Sequence, residues 1–180
     1  MPFGEWAALK ATSPCYAGGL PVIEVDGAMH TQSLAIIRWA GKAAQLYPAA
    51  GGDGAAASLE ALRCDAVMDT CADALNKCPG GATPEAKKAA REEYAAGKLK
   101  SFMEQLNAAA VAAGGERYIA GGAALTVADL VLFYFLLDML RRGQFDHVPA
   151  EYADDWPALA ALEARIRAHP IIAAYKKSLE

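Results

Sequence analysis

Three short stretches of this chain carry residue types that can hold a ligand. In the first, Leu20-Pro21 opens the apolar run Leu20-Pro21-Val22-Ile23-Glu24-Val25. An X-Pro bond at a strand start is a place for a cis peptide. Pro21 has no N–H, so the peptide edge beside it pairs poorly with another strand. The backbone groups of Leu20 and Val22 are then free to serve an extended peptide ligand, as an added strand would. The alternative is that Pro21 simply marks a sheet edge. In the second stretch, Gln32-Ser33 starts a helical pattern. A helix N-terminus offers unpaired N–H groups and the positive end of a dipole, which suit a carboxylate. Ser33 adds a hydroxyl, and Gln32 adds a donor and an acceptor. Ordinary capping by Thr31 or Ser33 is the alternative. In the third, Asp65, Asp69 and Asp73 recur every four residues and share one helix face. Like charges repel there, so the face is either solvated or awaits a cation or a ligand ammonium.

Other chemistries are argued against. The formal net charge is -4 and there is no long basic run, so no phosphate-binding stripe for nucleic acid is expected. The four cysteines, Cys15, Cys64, Cys71 and Cys78, form no C-x-x-C pair, and the three histidines stand far apart in sequence, so no metal site is expected. Cys64, Cys71 and Cys78 recur every seven residues and fall near one helical stripe. Successive members are separated by about 10 Å of helical rise, which excludes a disulfide within one helix and fits a reducing compartment. The opening residues have no basic region or apolar core of a signal peptide. The most apolar stretch, Leu130 to Leu137, is far short of the roughly 20 residues that span a bilayer. A cytoplasmic protein without membrane partners is expected.

The elements that must position these residues follow from turn and breaker chemistry. Leu20 to Val25 reads as a strand, Asp26-Gly27 as a two-residue hairpin turn, and Ala28 to His30 as the return strand. A helical pattern then runs from Ser33 to Leu46. Residues 48–57, with Pro48 and three glycines, read as a linker. Beyond it the chain is Ala-rich, with helices expected at 56–78, 84–112, 126–141, 157–168 and 170–178. Pro84, Pro157 and Pro170 each suit a first helical position. Thr126-Val127-Ala128-Asp129 has a hydroxyl at the N-cap and a carboxylate three residues on, launching an all-round apolar central helix.

The order of these signals is more specific than any one of them. Trp6-x-x-x-Lys10, a loop, Leu20-Pro21-Val22-Ile23-Glu24-Val25-Asp26-Gly27 and then Gln32-Ser33-Leu34-Ala35-Ile36 resembles the second half of the N-terminal domain of sigma-like glutathione S-transferases. Asp65-Ala66-Val67-Met68-Asp69-Thr70 with Asp73 resembles that family's first long C-terminal helix, and Thr126 to Asp129 resembles its capping motif. The resemblance covers essentially the whole chain. It implies an α+β fold, mostly α. A partial thioredoxin-like, glutathione-binding unit at 1–47 would precede an all-α domain at 58–180. It also implies site roles. Trp6 and Lys10 would meet the glycyl end of glutathione, and Leu20 would pair its backbone with the cysteinyl residue beside a cis Pro21. Gln32 and Ser33 would hold the γ-glutamyl carboxylate. Asp73 would reach across a dimer interface to the γ-glutamyl ammonium of the partner's ligand. Asp69 and Asp73 match positions that line an interfacial cation site in some members.

The resemblance implies an enzyme that uses glutathione as co-substrate. It would conjugate, isomerise or reduce a small apolar electrophile through the thiolate, a detoxification chemistry. The alternative is a non-catalytic structural or scaffold subunit. Three departures bear on the choice. The loop before Leu20 is longer than is usual in the family. Gly19 stands where a basic residue often sits. The family's upstream strand–helix–strand unit, which ends near the thiolate-stabilising Tyr, lies before the matched part. No residue maps to that Tyr, so the catalytic group is left unknown, with Cys15 and Tyr16 on the nearby loop. A lone hairpin is marginal and leaves an exposed edge and an apolar helix face. A homodimer or a larger assembly covering this N-terminal remnant is therefore expected.

Overall fold

The computed structural model describes residues 5, 8, 10, 12, 19–48 and 55–177, with the side chains of 55–58 and 176 outside that set. The chain divides into two compact units, Met1–Gln45 and Leu46–Glu180.

In the first unit, β1 (Val22–Val25) and β2 (Ala28–Thr31) pair antiparallel. The register runs from Val22 opposite Thr31 to Val25 opposite Ala28. Asp26 and Gly27 close the hairpin with φ of 51° and 78°, the doubly positive pair that a two-residue turn matching strand twist demands. Glycine takes the second of these without penalty, and Asp tolerates the first. The Leu20–Pro21 peptide is cis, as the strand-start position suggested. α1 (Ser33–Ala43) follows directly and ends sooner than the expected Leu46, with Gln45 turning away at φ 57°.

The second unit is helical among its described residues. α2 (Ala55–Asn76) is its longest helix. α3 (Pro84–Tyr94) starts at Pro84, with the Thr83 hydroxyl accepting from Ala86 N–H at 3.2 Å. The chain then widens into a π segment, Ala95–Leu99, before α4 (Lys100–Ala113). A continuous helix was expected over 84–112. The widened turn leaves the Ala95 carbonyl to accept the Tyr152 hydroxyl from a distant loop. α5 (Val127–Val131), a second π segment at Leu132–Leu137 and α6 (Asp138–Arg141) form the expected central helix. Here the widening suits a run with several faces to bury: Leu132, Phe133, Leu136 and Leu137 are all fully inaccessible. A short 3-10 turn (Tyr152–Asp155), α7 (Pro157–Ala168) and α8 (Pro170–Lys177) complete the unit.

The core of this unit gathers Met68, Leu99, Met103, Leu132, Phe133 and Leu159. Cys64 and Cys71 are fully buried within it, and Cys78 lies past the end of α2 and is half-buried. The seven-residue stripe therefore holds for two of the three cysteines, because the helix unwinds before the third. Burial pushes the Cys64 thiol up to about 11. It raises the Cys71 thiol as well. A polar network ties α6 to α7: buried Glu163 accepts from Arg141 at 3.0 Å and from Arg167 at 2.8 Å.

The start of α5 is built around Asp129, which is fully buried. Its Oδ2 accepts from the Thr126 N–H at 2.8 Å and the Thr126 hydroxyl at 2.7 Å. Its Oδ1 accepts from the Ile119 N–H at 2.9 Å. Burial raises the carboxyl's pKa against the pull of these bonds, which favour its charged form. Two outcomes follow. Asp129→Ala strands buried donors and lowers the stability of the helical unit by about 3 kcal/mol, measured by denaturant unfolding. Because the thiolate is the reactive form, Cys64 and Cys71 resist iodoacetamide at pH 8 in the native protein and react after unfolding, read by mass spectrometry.

Candidate functional site

The hairpin register decides which residues of the first unit meet. With Val22 opposite Thr31, Leu20-Pro21 before β1 and Gln32-Ser33 after β2 lie at the same open end. Leu20 is 65% exposed, and Pro21 and Gln32 are exposed too. Two residue pairs twelve positions apart in sequence thus share one locality. Pro21 contributes no N–H there.

Gln32 occupies the N-cap position with φ 78° and ψ 106°, and among the described residues no side chain caps α1. Thr31 and Ser33, the residues weighed as caps, do not fill that role: Thr31 pairs in β2 and Ser33 is the first helical residue. The helical ladder begins with Ile36 N–H donating to the Gln32 carbonyl at 3.0 Å. The amides of Ser33, Leu34 and Ala35 come before that first bond and point out of the helix end. The first turn holds no acidic residue. This end can therefore accept a carboxylate, with the Ser33 hydroxyl beside it. A positive φ at a non-glycine residue costs of the order of 1–3 kcal/mol and collects at ligand clamps. Sequence reasoning found Gln32 from its side chain and missed its backbone, for which no local signal exists.

Between the hairpin and α1 lies a hollow of about 390 Å³, walled by Ile23, Val25, Met29, Ala35, Ile36 and Trp39. Trp39 is 51% exposed, so the apolar face of α1 stands open on this side.

The remaining site expectations fall elsewhere. Lys10 is helical and exposed, while Trp6, Cys15 and Tyr16 lie outside the described residues. Asp73 sits in the second unit on α2, exposed, and its Oδ2 is 2.5 Å from the Lys77 ammonium one turn on. That i,i+4 pair was readable in the sequence and shows that Asp73 already has a cation beside it. Asp69 is exposed and Asp65 half-buried on the same helix. Among the described residues no group of three or more His, Cys, Asp or Glu side chains could hold a metal ion. None of their helices is long and apolar enough to cross a membrane.

Residues 72–179 match the family model described as "Glutathione S-transferase, C-terminal domain". The chain is 30% identical over 172 residues to the hematopoietic prostaglandin D synthase of Gallus gallus, spanning 95% of this chain and 77% of that protein. It is 28% identical over 184 residues to S-crystallin SL11 of Nototodarus sloanii, spanning 98% and 80% respectively. Among solved structures, prostaglandin synthase D of Nilaparvata lugens is similar at TM-score 0.75 and 25% identity, over 98% of this chain and 81% of that one.

The strained N-cap yields a direct expectation. Gln32→Gly relieves the positive φ and raises the local stability of the hairpin and α1 by about 1 kcal/mol, whereas Gln32→Ala does not. Hydrogen exchange of the β2 and α1 amides measures it. Equal protection in the wild type and Gln32→Gly would show that the backbone there is unstrained.

Proposed function

Because the chain belongs to the glutathione S-transferase family, we propose that it binds glutathione and presents the thiolate to a small apolar electrophile. The observation that carries this reading is the open hairpin end, where Leu20-Pro21 meets an uncapped helix N-terminus at Gln32-Ser33. A tripeptide with an anionic γ-glutamyl end needs both halves: an extended backbone to pair with, and amides to receive its carboxylate.

The roles follow from the chemistry of each group. Leu20 pairs its backbone with the cysteinyl residue. The Ser33 hydroxyl and the α1 amides receive the γ-glutamyl carboxylate, and Gln32 donates beside them. Trp6 packs against the glycyl end and Lys10 sets its ammonium near that carboxylate. In a homodimer, Asp73 of one protomer meets the γ-glutamyl ammonium of glutathione held by the other. Its pairing with Lys77 is an exposed one, worth about 1 kcal/mol or less, so exchanging it for a ligand cation costs little. The glutathione thiol titrates near 8.5 when free, so turnover at neutral pH needs a stabilised thiolate. Conjugation, isomerisation and peroxide reduction all proceed from that thiolate.

The S-crystallin SL11 relative supports a second reading: a structural subunit that keeps the fold without turnover. One experiment separates the two. The full chain is titrated calorimetrically with reduced glutathione, and turnover of a chloronitrobenzene is followed in parallel. The proposed function expects binding, a roughly tenfold loss on Ser33→Ala, and turnover. Binding without turnover selects the structural subunit. No binding by the folded chain overturns the glutathione site.

A further inference from the structure

α2 ends at Asn76, and Lys77 is the first residue beyond it. Its N–H donates to the Asp73 carbonyl at 2.9 Å, so the backbone still follows the helical ladder there. The last turn of α2 contains no basic residue of its own. Lys77 therefore sets a positive charge at the negative end of the helix dipole. The same step of four residues brings its ammonium to 2.5 Å from Asp73 Oδ2.

A third contact holds the ammonium in place. It stands 5.6 Å from the centre of the Phe102 ring on α4, near enough for a cation–π attraction. Lys98, in the π segment, stands 5.1 Å from the same ring. With Lys98 sharing it, the ring alone is a poor alternative to the Asp73 carboxylate. Asp73 and Lys77 are both half exposed, so their pair is open to exchange with a ligand cation.

We propose that Lys77 is an internal competitor for the ligand ammonium at Asp73 and sets the affinity of this site for the γ-glutamyl end of glutathione. The inference rests on the reading given above, in which Asp73 of one protomer meets the ammonium of glutathione held by the other. One carboxylate serves two cations only if they sit side by side and repel. Binding therefore either displaces Lys77 or bears its repulsion, and both lower the affinity. An uncharged residue at this position leaves Asp73 to the ligand alone. Lys77 is a positioning residue that acts through Asp73 and takes no part in the chemistry of the thiolate.

The test titrates the full chain calorimetrically with reduced glutathione, and with glutathione acetylated on its γ-glutamyl amine as the uncharged control. Lys77→Met keeps an apolar stem over Phe102 and removes the charge. It is expected to tighten glutathione binding about threefold and to leave the acetylated control unchanged. Lys77→Arg keeps the competing cation, and with it the wild-type affinity. In an Asp73→Asn background glutathione binds more weakly, and Lys77→Met no longer tightens it. An unfolding scan of each variant checks that the compared chains are folded. Unchanged or weaker glutathione binding by Lys77→Met overturns the proposal. So does equal tightening of the acetylated control, or a gain that persists in Asp73→Asn. If neither wild type nor Lys77→Met binds glutathione, the glutathione reading itself falls; wild-type binding without these differences removes only the role of Lys77.

Discussion

A buried carboxylate is costly unless every lone pair it offers is met, and Asp129 sits at zero exposure with two backbone amides and a hydroxyl aimed at it. Much of the helical unit is arranged by that demand. The Ile119 amide can reach Oδ1 only if the loop after α4 turns back toward α5. Arg165 on α7 holds the same loop by donating to the carbonyls of Arg117 and Gly115. The first amide of α5, Val127 N–H, donates to the Leu46 carbonyl at 2.7 Å and so ties down the segment that opens this unit. From that start the chain runs directly into Leu132–Leu137, where Leu132, Phe133, Leu136 and Leu137 are fully buried.

Three helix N-termini of this chain meet the same electrostatic requirement differently. α5 is satisfied from within by Asp129, and α3 by the Thr83 hydroxyl with Pro84 behind it. α1 has neither: its N-cap residue is a glutamine in a strained backbone conformation, and its first turn carries no acid. The dipole and free amides are the same physical resource in all three. In α3 and α5 it is consumed by the fold. In α1 it stays available, at the point where the hairpin register brings the strand-start proline alongside.

Local chemistry was the readable part. The Asp26-Gly27 turn, the prolines at helix starts and the Thr-x-x-Asp cap each depend on a few neighbouring residues, and each is found where the pattern puts it. What could not be read depends on distant partners. The π widening at Ala95–Leu99 accompanies a bond from Tyr152, 57 residues away. The second π segment reflects how many faces of Leu132–Leu137 the surrounding helices bury. Cys78 left its stripe because α2 ends at Asn76.

The sequence by itself determined the element types, the hairpin and its turn, the cap of the central helix and the order of motifs that marks the family. These rest on interactions within one turn or one hairpin, whose geometry the covalent chain nearly dictates. Only the tertiary structure decided the positive φ of Gln32, the bond from Tyr152 to the Ala95 carbonyl and the loop bond to Asp129. Each of these balances a local cost or freedom against packing by residues far away in the chain.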